Sequence, residues 1–450
     1  MYKTLLSALL SILAFPAAAQ ITVSGAANPP VRLDADPNTG LSAVYVVDNT
    51  AGCSYTYTAS SSRVSVQRFR NLGGGYAEDI PGLSHSGNTY TIPADTEDTG
   101  YIIDDGDSRV CFWVVNYANH ALALDALAVL PDDSDCSRVA LALSGSAAPI
   151  TYYSVNGRAV QLSRDLTLSY LSLVYDEDSQ SWLQSPQSVS LPGIDGAVHV
   201  NAPLCDTDFS LSGDRFTQAW GDLQYVSSSS YTAVAVSAHV RAVQAEHVGA
   251  DNESGGDLSD GLGGSAPCEV TFSAQPTDAA VFREWQFSTT EDFENITDRY
   301  NVDELTFSFT DEGVTYVRFQ CADASGVCSY DSEVFTVTIG ASKLLIPNAF
   351  SPHNQDGVND LWKVSYTSIV KFECSIFNRW GQRLATLTHP SQGWDGRYKG
   401  KFVPAGVYFY VIKAVGADGK SYDRAGDINI VTSRLSPATP QDPSTDPPTD

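Results

Sequence analysis

The chain has 450 residues and carries 53 acidic against 26 basic side chains, a formal net charge of −27 at pH 7. A field of that sign disfavours nucleic acid and anionic lipid surfaces, so no nucleic-acid partner is expected. The length exceeds what a single core organises, and an even count of 8 cysteines in an exported chain points to disulfides rather than metal or redox chemistry.

The export expectation comes from the first residues. Lys3, the apolar run from Thr4 to Phe15 and Ala17-Ala18-Ala19 before Gln20 have the order of a secretory signal peptide over residues 1–19. That run is too short to span a bilayer, and no later stretch has the length and apolarity of a transmembrane helix. Beyond it, short β-branched and aromatic runs alternate with clusters of Gly, Asp, Asn, Ser and Pro. The predicted fold class is therefore all-β, with β-sandwich domains in series. Residues 20–130 form a first predicted sandwich, with Cys53 and Cys111, and 131–245 a second, with Cys136 and Cys205. One disulfide inside each is the simplest pairing, although sequence leaves connectivity open. Residues 246–267, rich in Gly, Ser, Asp and Asn, read as a flexible acidic linker.

Residues 268–342 have an immunoglobulin-like outline. Trp285, between Phe282 and Phe287, is placed as a core tryptophan on a central strand. Asp311, Gly313 and Tyr316 before Val317 to Cys321 resemble a tyrosine corner. The looser spacing is closer to the PKD-like modules of bacterial surface proteins. From Glu333 to Ile339, Phe335, Val337 and Ile339 share one face, the period of a half-buried strand. Cys321 and Cys328 are expected to pair across a hairpin turn, with Cys268–Cys321 as the rival.

Composition then changes abruptly. No lysine lies between Lys3 and Lys343, whereas 7 lie from Lys343 to Lys420, and residues 343–434 carry +5 against −32 for the rest. So sharp a shift marks a separate module fused to an acidic passenger. It contains Ile346-Pro347-Asn348-Ala349-Phe350-Ser351-Pro352, Asp356-Gly357-Val358-Asn359-Asp360 and Trp362. Asn378-Arg379-Trp380-Gly381, Gly393-Trp394-Asp395-Gly396 and Lys399-Gly400-Lys401 follow, then Pro404-Ala405-Gly406-Val407-Tyr408-Phe409-Tyr410. Physically, Pro347 and Pro352 fix an extended entry. Asp356-Gly357 and Asp395-Gly396 are turn formers. Trp380 and Trp394 read as core or turn-covering aromatics. The strand from Gly406 to Ile412 is bulky on both faces, so it is either sandwiched or offers one face to a partner. Arg379, Lys371, Lys399 and Lys401 are recognition candidates, with solvated charge as the default.

These blocks, in this order, resemble the gliding-motility-associated C-terminal domain of Bacteroidetes, the type B sorting domain of the type IX secretion system. The resemblance implies a small β-sandwich at 343–434 recognised by the type IX translocon, with a PorP/SprF-like outer-membrane protein as partner. It implies transit through the periplasm, then delivery to the cell surface or the medium. The motif residues it assigns to sorting are Pro347, Asn348, Phe350, Pro352, Asp356, Gly357, Asn359, Asp360, Asn378, Arg379, Trp380, Gly381, Trp394, Asp395, Gly396, Gly400, Lys401, Pro404, Gly406, Tyr408 and Tyr410.

Other constellations are weaker. Asp356, Asn359 and Asp360 offer hard oxygens to calcium, but the EF-hand pattern is not met and a hydrogen-bonded turn is the stronger reading, so no cofactor is expected. Asp104-Asp105-Gly106-Asp107 and Asp132-Asp133-Ser134-Asp135 read as exposed acidic turns. The 7 histidines form neither H-x-x-x-H nor H-E-x-x-H, and Ser84-His85-Ser86 lacks the G-x-S-x-G elbow. Asp206, Asp208 and Asp214 are the carboxylates a glycoside hydrolase would need, and Cys205-Asp206-Thr207-Asp208 reads rather as a disulfide-pinned turn. The expectation is no catalytic site, and a passenger that binds an unidentified extracellular ligand, adheres or builds the envelope. The alternatives are a secreted carbohydrate-active hydrolase and an accessory component of the outer-membrane secretion or gliding machinery. Residues 435–450, Pro-, Thr-, Ser- and Asp-rich, read as a disordered tail.

Overall fold

The computed structural model describes residues 21–71, 77–245, 251–254 and 261–432. The expected signal peptide and tail lie outside them, as do 246–250 and 255–260 of the expected linker. The chain divides after Ala235 into two compact units, each built from β-sheets.

The first unit is organised by a six-stranded sheet. Strand Ala43–Val47 pairs in parallel with Arg109–Asn116, setting Ala43 opposite Phe112 and Val46 opposite Val115. Strands covered on both faces read as unbroken apolar runs, and every residue of Ala43–Val47 is buried. Ala43, Tyr45 and Val47, with Phe112 and Val114, face a core closed by Tyr55, Tyr57 and Tyr101. Val44 and Val46, with Trp113 and Val115, face a second core reaching Ile150, Tyr152, Leu168 and Phe209. One sheet thus serves both expected sandwiches, and a cut at 130 would sever the hairpin joining Ala123–Leu130 to Arg138–Ser146. The second core also holds a buried ion pair. Arg164 Nη1 lies 2.6 Å from Asp214 Oδ2, and its Nε donates to the Ala148 carbonyl at 2.7 Å. Tyr117 donates its hydroxyl to the same aspartate oxygen at 3.0 Å. Asp214 Oδ1 caps the short helix Arg215–Ala219 by accepting from the Phe216 and Thr217 amides.

The expected disulfides are not formed. Cys53 and Cys111 are free thiols that face different cores of the unit, so the pleat itself keeps them apart. Cys205 is also a thiol. Its turn is pinned by hydrogen bonds: Thr207 and Tyr231 exchange backbone bonds of 2.7 and 3.1 Å, and Asp206 accepts from the Ala233 amide at 2.8 Å. Cys321 stands opposite Tyr330 in its hairpin, two residues past Cys328, and turns its thiol into the core. The intervening turn is held by Asp323, which accepts from the Cys328 amide at 3.0 Å. The rival Cys268–Cys321 bond is absent as well, both residues being thiols. Cys136 and Cys328 are disulfide-bonded, neither to the mate that proximity in sequence suggested.

The second unit holds two cores. In the first, strands Ala238–Gln244, Cys268–Pro276 and Glu304–Phe309 form one sheet, so Ala238–Gln244 pairs forward in the chain. Trp285 is buried where expected, on the strand between Gly313–Ala322 and Ile296–Tyr300, packed 5.1 Å from Phe319. Val337 and Ile339 are buried and Phe335 half-buried, as their alternation required. The described parts of the expected linker are bonded, not free: Leu262–Gly264 runs parallel to Phe335–Ile339, and Glu253 bridges Tyr366.

Candidate recognition surface on the terminal module

The terminal module is a five-stranded sheet faced by the pair Lys343–Leu345 and Ser365–Thr367. Its three long strands, Ile369–Phe377, Gly406–Gly416 and Ser421–Ile430, are antiparallel neighbours. Tyr408, Ile412 and Ala414 point inward to a core with Phe350, Trp362, Trp394 and Ile428.

The motif residues gather around that core. Trp362 Nε1 donates to the Pro347 carbonyl at 2.8 Å, and Trp394 Nε1 to the Arg397 carbonyl at 3.1 Å. The Asn348 carbonyl accepts from the Asn429 amide at 2.8 Å, tying the entry segment to the last strand. Phe350 and Tyr408 each lie 5.5 Å from the Trp394 ring, and Tyr410 5.5 Å from Trp362. Pro352 is buried beneath Gly396, where a Cβ would come within 2.8 Å of the proline Cγ. Tyr408 donates its hydroxyl to the Pro404 carbonyl at 2.7 Å, closing the turn that Gly406 opens.

The acidic loop is internally bonded. Asp356 Oδ1 accepts from the Val358 amide at 2.9 Å, Asp360 Oδ2 from the Gly357 amide at 2.8 Å, and the Asn359 carbonyl from the Ser351 amide at 2.8 Å. Among the described residues no group of three His, Cys, Asp or Glu side chains is placed to hold a metal. Asp214, one of the carboxylates considered for hydrolysis, is spent on Arg164 and its helix cap.

What remains outside the core is distinctive. The outward side chains of the Gly406–Gly416 strand include Val407, Phe409 and Val411, exposed by 50%, 43% and 39%, and then Lys413. Phe377 stands directly opposite Phe409 and widens the stripe. At one end of it the turn Asn378–Gln382, held by Asn378 Oδ1 accepting from the Trp380 and Gln382 amides at 3.0 Å, projects Trp380. That tryptophan is 75% exposed, the opposite of a core role, and Arg379 lies 4.3 Å from its ring centroid. Arg379, Trp380, Tyr398, Pro404 and Val407 line a groove of about 350 Å³. Gly381 and Gly400 supply the positive φ that the two turns beside it need. Lys399 and Lys401 extend along the Arg397–Tyr398 and Lys401–Phe402 hairpin, whereas Lys371 lies at the other end of the sheet's outward face, in a depression with Lys413, Glu373 and Asp423. The bulky two-faced strand left open a sandwiched strand or an offered face, and its outer side chains are exposed; that Trp380 lies at the end of that face depended on a turn conformation the sequence left open.

An all-β chain of fibronectin- and immunoglobulin-like sandwiches, with a terminal module that has its own core and an exposed apolar stripe, is a modular β-sandwich protein. Residues 128–228 match the family model of a fibronectin type III domain, and residues 344–430 match that of the CHU_C type IX secretion signal domain. The terminal module is thus a type IX secretion signal domain, which directs export to the cell surface or beyond. No curated protein matches the chain. Among solved structures, the tetra-tandem repeat in the extending region of a large adhesion protein is 13% identical, covering 92% of this chain and 100% of that one at a TM-score of 0.22. Fibronectin(III)-like modules of Clostridium thermocellum CbhA are 12% identical, covering 44% and 98% at 0.16. A Ca²⁺-stabilized adhesin of an Antarctic bacterium is 12% identical, covering 85% and 94% at 0.18.

Proposed function

We propose that the type IX machinery reads this signal through the outer face of the terminal sheet, and that a PorP/SprF-like outer-membrane protein is the reader. The carrying observation is the stripe Val407, Phe409 and Val411 with Trp380 at its end. The three strand side chains are already about half covered, so completing their burial contributes about 0.7–1.5 kcal/mol each, and a partner that covers the stripe gains affinity without disturbing the core on the other face. The Arg379–Trp380 pair adds a planar cation over an amphipathic ring, the kind of anchor that fixes orientation. The passenger acts in adhesion, binding or envelope structure at the surface and carries no catalytic site.

The experiment replaces Phe409 and Val411 with serine, and separately Trp380 with alanine, in the full chain, then follows export and co-purification with outer-membrane proteins. The reading expects accumulation in the periplasm and loss of the partner while the module keeps its fold. Normal export of both variants would overturn it.

A further inference from the structure

Residues 251–254 lie along the edge of strand Ser365–Thr367 that faces away from Lys343–Leu345. The Tyr366 amide donates to the Asn252 carbonyl at 3.1 Å, and the Ser254 amide to the Tyr366 carbonyl at 2.9 Å. The Asn252 carboxamide donates to two carbonyls at once, Val364 at 2.6 Å and Pro390 at 2.9 Å. Lys363 Nζ meets Asp251 Oδ1 at 2.6 Å, the Tyr366 hydroxyl donates to Glu253 Oε2 at 3.1 Å, and Thr367 Oγ1 donates to the Ser254 carbonyl at 2.6 Å. A spacer has no need of such pairing, whereas strand addition combines main-chain bonds with side-chain selection in this way.

We propose that this edge of the terminal module is a strand-addition site for an extended acidic segment, and that residues 251–254 are its built-in ligand. The site selects by chemistry. Only a side chain with two N–H donors satisfies the Val364 and Pro390 carbonyls together, so asparagine fits and aspartate does not. Acidic residues on either side meet the Lys363 ammonium and the Tyr366 hydroxyl. Filled in cis, the edge is shielded from pairing with other chains. The export signal is then discontinuous: it lies at 344–430 with a strand supplied from nearly a hundred residues upstream.

The test is hydrogen exchange on the purified full chain, and no export step enters it, so its outcome is separate from that of the sorting proposal. In Asn252→Asp and in Ser254→Pro, exchange over residues 363–367 should quicken at least about tenfold, because these changes remove the paired donors or the Ser254 amide. Residues 407–414 should not change, which shows that the module stays folded. A synthetic peptide of residues 250–255, at roughly millimolar concentration to match the effective concentration of the cis segment, should restore protection. The same peptide with aspartate for asparagine should not. Unchanged exchange in both variants, no restoration by the native peptide, or equal restoration by the aspartate peptide would each overturn the proposal.

Discussion

Trp362 and Trp394 exchange backbone hydrogen bonds of 2.9 and 3.0 Å and are both buried. This pairing joins stretches that look unrelated in sequence: Trp362 carries the Pro347 carbonyl and Tyr410, and Trp394 carries Phe350 and Tyr408. The separate motif blocks of the terminal module are thus one packing unit. Replacing either tryptophan with alanine should lower the stability of the module by about 3–5 kcal/mol, read from its urea transition. Trp362→Phe, which keeps most of the apolar area and loses the bond to Pro347, should cost about 1 kcal/mol.

Two glycines separate backbone strain from crowding. Gly357 and Gly396 have φ of 83° and 71°, but a Cβ at Gly357 would meet open space while one at Gly396 would meet Pro352 at 2.8 Å. Gly357→Ala should therefore cost about 1 kcal/mol, and Gly396→Ala about 1–3 kcal/mol more, in the same urea measurement.

The buried Cys374 thiol gives the module a pH dependence. Burial raises its pKa from 9.0 to about 12. Between those values the unfolded chain has lost the proton and the folded module keeps it, so stability is full below pH 9 and falls as pH rises, by about 1.4 kcal/mol per unit at most. The urea midpoint should drop from pH 9 upward, and Cys374→Ala should remove this component of the slope.

Much of the fold could be read from local pattern. The alternation around Val337, the core Trp285 and the turn residues of the terminal module reflect contacts whose direction is set by one strand's own period. The cysteine pairings failed because register is not local: Cys321 faces Tyr330, and Cys53 and Cys111 lie on opposite sides of a sheet whose partner strands are far apart in sequence. The unbroken run Ala43–Val47 did carry the signal for a strand covered on both faces. Residues 251–254 have no period and a linker-like composition, and the bonds that hold them go to residues 363–367 and Pro390, more than a hundred residues later.

The Arg164–Asp214 pair offers a test of the first unit. With both side chains almost wholly buried, Asp214→Asn leaves a guanidinium without its counter-ion and should cost about 3–5 kcal/mol. Adding Arg164→Met should recover much of that loss, measured as a double-mutant cycle in urea.

The most direct test of the whole account is to produce the chain ended after Ser342 in its native cells and fractionate them. An address carried by the terminal module predicts that the folded passenger collects in the periplasm. Delivery of the shortened chain to the surface or the medium at the normal level would contradict it.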